Sequence, residues 1–300
     1  MKNSKISLLL ILLFLDTVAF AQRNTWSGQI LLATSHMLGD LGGKSIVGTH
    51  DFSDINLSST RYALGTGISY NFSSQFALGM EVNYSRLYSD DNATNSNRRF
   101  RNLHSRTDII ESNIKLEYTI PRMGIYFNVG GGLCFYQPMA SVDNNWYKLR
   151  PLGTEGQNID ANRDPYSIYS PIVPFGIGKK FKLNRIIFAV DVSMRKTFTD
   201  YLDDVSTSYY DPISIGNHSG GIAALLSNPS KADSPVGKPG TKRGEPNHND
   251  NYFFVGFKLY LPLTKKYNMH KSCPYNSSWI QPNGQIPKYK KGRRNRRRKK

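Results

Sequence analysis

Cysteine is nearly missing from this 300-residue chain, which holds only Cys134 and Cys273. Two distant thiols build no disulfide framework. Both are read as free, with a single bridge left open should the compartment be oxidising. Long apolar runs are missing too. Outside the N-terminus no stretch supplies the ~20 consecutive apolar residues of a spanning helix, which excludes a helical membrane protein. Negative charge is scarce: 22 Asp and Glu stand against 39 Lys and Arg, a formal charge of +17. Catalytic signatures are lacking as well, with no GxSxG elbow and no HExxH helix. The histidines (His36, His50, His104, His218, His248 and His270) are scattered, mostly over loops and strand rims. No enzyme is expected, no cofactor and no small-molecule substrate.

What is present begins with an export signal. Lys2 and Lys5 precede an apolar run from Ile6 to Leu15, and Ala19-Phe20-Ala21 is a small-x-small cleavage site. The run is too short to span a membrane, so a secretory signal peptide over residues 1–21 is expected, cut between Ala21 and Gln22. No cysteine follows the cut, so no lipid anchor is expected. An exported chain without a spanning helix is either soluble or a barrel.

The stretch from Thr60 to Tyr88 decides between these. Tyr62, Leu64, Ile68, Tyr70 and Phe72 fall on one face, against Arg61, Ala63, Gly65, Gly67, Ser69 and Asn71. After Ser73-Ser74-Gln75, Phe76, Leu78, Met80, Val82, Tyr84 and Tyr88 face Ala77, Gly79, Glu81, Asn83 and Ser85. A period of two over about a dozen residues is a strand signal, because successive side chains of a pleated chain point to opposite sides. Soluble strands are typically about 5–6 residues long, whereas a tilted spanning strand needs ~9–11. One apolar face ending in aromatics and one small or polar face suit lipid outside and a packed lumen inside.

The same alternation recurs along the chain. Strands are expected over Trp26 to Leu38, the two runs just described, Arg106 to Ile120, Gly124 to Tyr136, Val173 to Phe181, Ile186 to Met194 and Tyr252 to Leu261. Their connections alternate long and short, with tight turns at Pro121-Arg122-Met123 and Leu183-Asn184-Arg185. An even strand number with short turns at one end and long loops at the other is the pattern of bacterial outer-membrane barrels. The fold expected is therefore all-β: an eight-stranded antiparallel transmembrane barrel over residues 22–263. Ten strands stay open if part of Gln137 to Ser170 adds a hairpin. Gly153 to Gln157 and Thr199 to Asn251 are placed outside the cell and both termini in the periplasm. The stretch NPSKADSPVGKPGTKRGEPNHND reads as disordered from its composition.

Eight charged residues are expected in the lumen: Glu81, Glu111, Lys115, Glu117, Lys180, Asp191, Arg195 and Lys258. An eight-stranded interior is just wide enough for side chains to fill, so these read as a self-neutralising network rather than a pore. Asp200, Asp203 and Asp204 carry oxygen ligands but lack a calcium-loop spacing, and no metal is expected.

The excess charge is local. Without Lys2, Lys5 and Asp16 of the signal the total is +16, and ten of those charges lie in KYKKGRRNRRRKK. They are Lys288, Lys290, Lys291, Arg293, Arg294, Arg296, Arg297, Arg298, Lys299 and Lys300. Residues 264–300 are expected to form a disordered basic periplasmic tail, and the decad is its candidate partner-binding segment. Export makes nucleic acid an improbable partner. Acidic periplasmic proteins, anionic lipid and the cell-wall polymer stay open, as does a merely solvated tail.

Two long strings then carry a resemblance: Pro151-Leu152-Gly153-Thr154-Glu155-Gly156-Gln157, and Arg195 to Thr207, which reads RKTFTDYLDDVST. With Gly39-Asp40-Leu41-Gly42-Gly43 and Phe175-Gly176-Ile177-Gly178, they resemble the PorG-like outer-membrane barrels of the type IX secretion system of Bacteroidetes. The similarity runs from about Gly39 to Leu261. It implies a non-enzymatic outer-membrane component that meets the periplasmic ring of a PorK-like lipoprotein and a PorN-like partner. It implies a role in export of cargo and of gliding or virulence surface proteins. It assigns no chemistry to any residue. Two other readings are a structural or adhesive surface barrel without a secretion role, and a lipid-modifying enzyme.

Overall fold

The alternating runs become long strands because the residues on their two faces face different surroundings. The computed structural model describes residues 25–42, 57–93, 97–121, 123–183, 186–230 and 234–263. The segment expected to be the signal, with Ala21 and Gln22, and the expected tail, with Cys273 and Lys288 to Lys300, lie outside the described residues. The strands are β1 (Thr25–Leu38), β2 (Arg61–Asn71), β3 (Phe76–Asp90), β4 (His104–Thr119), β5 (Ile125–Val142), β6 (Asn145–Lys148), β7 (Tyr169–Leu183), β8 (Ile186–Thr197) and β9 (Asn251–Pro262).

Each wall strand pairs antiparallel with its neighbour in the chain, β6 excepted, and β1 pairs with β9, which closes the ring. The wall is thus an eight-stranded antiparallel barrel. Closure leaves no open sheet edge in the wall. β6 pairs with β5 alone. It follows a two-residue turn at Asp143 and Asn144, both at positive φ (50° and 65°), the geometry of a tight hairpin. The region read as a loop from Gln137 therefore holds a hairpin: β5 runs on to Val142 and folds back, without adding a strand to the wall.

The strand ends that flank the short connections, Asn71 and Phe76, Thr119 and Ile125, and Leu183 and Ile186, lie at one end. The chain enters and leaves the wall there too, since Thr25 pairs with Asn71 and Ser27 with Pro262. The described parts of the long connections, 39–42, 57–60, 91–93, 97–103, 143–168, 198–230 and 234–250, gather at the other end.

The outward face is an apolar collar. Leu32 is 56 % and Leu133 62 % exposed, and Leu64, Met80, Ile114, Phe175 and Phe257 continue the band round the ring. Water-soluble monomers rarely expose contiguous apolar patches beyond a few hundred Å². Aromatics edge the band at both ends, as at a bilayer interface. Trp26 with Tyr70 and Phe76 with Tyr118 stand at the short-turn end, Tyr62 with Tyr84 and Phe135 with Tyr169 at the other.

The inward face is polar and crowded. Its glycines sit opposite the large residues: Gly67 pairs with Glu81, Gly130 with Lys115, and Gly178 and Gly256 with Asp191. A Cβ on Gly178 would stand 2.4 Å from Cζ of Tyr126, so the tyrosine fills the lumen only because residue 178 has no side chain.

Candidate functional site

All eight charges expected in the lumen face it, four cations against four anions, and every one is paired. At one level Arg195, fully buried, grips Glu111, 1 % exposed: Nη2 donates to Oε1 at 3.0 Å and Nε to Oε2 at 3.1 Å. Tyr252 Oη donates to Glu111 Oε2 at 2.5 Å and Asn83 Nδ2 to Oε1 at 2.7 Å. The guanidinium carbon lies 3.7 Å from the ring centre of Phe254. At the next level Glu81 lies between Lys115 at 2.5 Å and Lys258 at 3.0 Å. Lys258 also reaches Asp191 at 3.7 Å, and Tyr126 Oη donates to Asp191 at 2.6 Å. Nearest the short turns, Lys180 pairs with Glu117, which also accepts from Tyr260 Oη at 3.1 Å.

Buried charge is tolerable only with such pairing and added hydrogen bonds. A lumen void lined by Gln29, Asn128, Lys115 and Lys258 among others holds about 10 Å³, about one water sphere. The lumen is a packed interior and not a conduit. Cys134 is a buried free thiol on the same face.

Above the wall the described parts of the long connections fold into a cap, and one segment there departs from what its composition suggests. Composition marks residues 228–250 as disordered, yet their described part is fixed to the cap at buried points, Arg243, Gly244 and Asp250, with much of the rest exposed. Arg243 is 2 % exposed. Its Nη1 donates to Glu155 Oε1 at 3.0 Å and to the Asp204 carbonyl at 2.6 Å. Glu155 also accepts from the backbone of Ser206 and Thr207 and from Thr207 Oγ1 at 2.6 Å. Asp204 accepts from Thr154 Oγ1 and from Tyr166 Oη. The strings at 151–157 and 195–207 are therefore clasped together, with Arg243 the clasp. A second arginine ties in the loop after β3: Arg101 bonds both oxygens of Asp91 at 2.9 Å and the carbonyls of Asp40 and Arg243. Gly156 has φ 86° and lies under the ring of Tyr210, where a Cβ would stand 2.5 Å from the ring. Both facts require glycine.

Beside the clasp lies a carboxyl cluster. Asp203 accepts from the backbone of Val205 and Leu41, Asp250 from Leu202 and Asp40 from Glu245. Burial and mutual repulsion push Asp200 up to about 9, and Asp203 and Asp250 well above the ordinary carboxyl range. Burial likewise lifts Asp204 to about 6, with Arg243 opposing it. Among the described residues no three His, Cys, Asp or Glu are arranged to hold a metal ion.

These aspartates set a pH dependence. The folded cap holds protons that the unfolded chain releases near pH 4, so their contribution to stability is present below that pH. It is lost as pH rises through about 6 and on through about 9. Amide exchange over residues 199–250, referenced to wall amides of the same sample, should be faster at pH 9 than at pH 5. Equal or better protection at pH 9 would show that the carboxyls are ionised in the folded cap.

The fold and the site together define a class: a closed eight-stranded barrel of the outer-membrane type, its lumen sealed by ion pairs and one end covered by ordered loops. The family model described as "Domain of unknown function (DUF6089)" matches residues 4–220, and the chain belongs to that family. No curated protein matches the sequence. Solved structures similar to it include Ail, the attachment invasion locus protein of Yersinia pestis, at 8 % identity and TM-score 0.35, over 79 % of this chain and 97 % of that one. The outer membrane protein OprG from Pseudomonas aeruginosa matches at 9 % identity and TM-score 0.30, over 81 % and 94 %. The solid-state NMR structure of AlkL matches at 13 % identity and TM-score 0.33, over 82 % and 94 %. The fold assignment rests on this chain's own closed strand pairing rather than on these likenesses.

Proposed function

We propose that this chain is a non-enzymatic outer-membrane anchor of the type IX secretion machine. Its short-turn end faces the periplasmic ring of PorK-like and PorN-like proteins, and its cap faces outward. The observation that carries the reading is the sealed lumen. Charges committed to one another leave no path for solute, so the barrel's work is done by what it holds at its two ends. The apolar collar supports lipid outside. The secretion assignment rests on the resemblance of the 151–157 and 195–207 strings, which are also the strings clasped in the cap.

Both chain ends leave the wall at the short-turn end, so the basic decad from Lys288 to Lys300 begins on the ring side in this reading. Ten like charges repel one another and suit an acidic docking surface, screened within about 8–10 Å at ordinary salt. Deleting the gene should stop export of type IX cargo, and the full chain should restore it. A chain truncated after Gln285 should keep a heat-modifiable barrel yet recover fewer ring proteins in pull-downs, with the salt dependence of recovery gone. Normal cargo export in the deletion strain removes the secretion role. Undiminished ring recovery by the truncated chain removes the tail as tether.

A further inference from the structure

The outward face at the cap end carries two cations that the protein leaves without a carboxylate. Strand pairing sets Tyr88, Arg106, Met139 and Lys148 side by side in one row across β3, β4, β5 and β6. The period of two puts this row on the face of Tyr84, Ile110 and Phe135, which edge the apolar collar two rows nearer its centre. Arg106 is held in place: its guanidinium carbon lies 4.1 Å from the ring centre of Trp146, and Nη2 donates to Met139 Sδ at 3.5 Å. Ser141 pairs with Trp146 and Met139 with Lys148, so Trp146 and Lys148 share one face of β6, ~7 Å apart along the strand. Stacking on the indole therefore carries the Arg106 head across Met139 to the strand of Lys148.

Among the described residues neither Arg106 nor Lys148 is ion-paired. Arg106 Nε is buried, whereas Nη1 makes no hydrogen bond and is open, and Lys148 is exposed. The carboxylates around them are engaged or stand apart. Asp108 takes Arg86 at 2.6 and 3.1 Å, and Asp90 accepts from Tyr88 Oη and from the Asn92 amide. Asp143 is exposed at the hairpin tip, on the far side of Trp146 from Lys148. With Arg61 over the Tyr88 ring the patch keeps a positive surplus, which selects an anion. The position of the row selects an anion carried on a lipid. Beneath it Ile110 and Leu133 are exposed on the collar that meets acyl chains. An amphiphile covers cations and collar together, and a soluble anion meets the cations alone. Phosphate oxygens suit both an open guanidinium edge and an ammonium point charge.

We propose that Arg106 and Lys148 hold the phosphate of a lipid head group in the leaflet that surrounds the cap end, with Arg106 Nη1 donating to a phosphate oxygen. The site needs the collar to meet lipid and holds whichever way the cap faces, so it stands independently of the secretion reading.

The test uses the full chain in a non-ionic detergent, with its methionine methyls isotope-labelled for NMR. Lipid A and phosphatidylglycerol are titrated as the phosphate lipids, with dephosphorylated lipid A, diacylglycerol and inorganic phosphate as the control arms. The readout is the methyl signal of Met139, assigned by its loss in Met139→Leu, because it lies between the two cations and lipid bound elsewhere leaves it unmoved. At least one phosphate lipid should shift it saturably, with every control arm at least about tenfold weaker. Arg106→Gln should weaken that lipid about tenfold and Lys148→Gln severalfold, while the barrel stays heat-modifiable. Lys179 is an exposed cation on the same face at the short-turn end, where it pairs with Ile125, and Lys179→Gln should change nothing. The proposal is overturned if neither phosphate lipid shifts Met139, or if a phosphate-free counterpart or inorganic phosphate binds as tightly. It is also overturned if Arg106→Gln and Lys148→Gln both bind like the parent, or if Lys179→Gln weakens binding as much as they do.

Discussion

Arg195→Met should destabilise the barrel by about 3–5 kcal/mol, the cost of leaving a buried carboxylate without its partner. Arg195 is the largest fully buried side chain of the lumen, and among the described residues it alone pairs with Glu111 as a cation. The methionine keeps most of the packing against Phe254 but none of the charge. Tyr252, Asn83 and Asn113 still donate to Glu111, yet neutral donors do not balance an ionised carboxyl in a closed lumen. Denaturant unfolding of the purified barrel in micelles, read with the heat-modifiable band, gives the number. The paired variant Arg195→Met with Glu111→Gln should recover most of the loss, because no charge then stays unpaired. A single-variant cost below about 1 kcal/mol, or a double variant no better than the single, would mean that the lumen pair is solvated or expendable.

That lumen was legible in the sequence for a physical reason. In a closed barrel every second residue of every strand faces inward, so the period of two assigns a side chain to lipid or lumen before any partner is known. Glu81, Lys115, Asp191 and Lys258 fall on the polar face of four different strands, and their parity alone placed them in one interior. What parity cannot give is who pairs with whom, since that depends on strand stagger. The cap was far less legible. Asp143-Asn144 is a two-residue hairpin turn with both residues at positive φ, but it sits inside a polar stretch whose alternation spans only a few residues. Residues 228–250 are rich in Pro, Gly, Ser and Lys and lack a periodic apolar face, so composition argued against order. What orders them is long-range: Arg243 to Glu155, the Asp250 carboxyl to Leu202, and backbone bonds from Arg243 to Thr207 and from Tyr209 to Thr241. A single basic residue among several lysines carries no local mark that it will be buried.

Arg243→Met is the matching experiment for the cap, and its effect should be confined there. The substitution leaves Glu155 and the Asp204 carbonyl without the guanidinium that joins them at 3.0 and 2.6 Å. Glu155 would then stay buried with only neutral donors, a cost again of about 3–5 kcal/mol. The loss falls on a unit whose contacts with the wall are distinct from the lumen pairs, so the cap should open with the barrel intact. An opening free energy lowered by that amount raises the open population by roughly a hundredfold to several thousandfold. Amide exchange at Thr207, Tyr209 and Arg243, each hydrogen-bonded inside the cap, should accelerate by about that factor, with wall amides unchanged. Lys242→Met is the control. Its pair with Glu245 lies at the surface, with the lysine side chain 62 % exposed, and exposed pairs contribute little, so exchange there should hardly move. Two results would refute the clasp. If Arg243→Met leaves cap exchange within a few-fold of the parent, Glu155 is held well enough by its neutral donors. If cap and wall amides accelerate together, the loops and the barrel unfold as one unit and Arg243 is simply part of a single core.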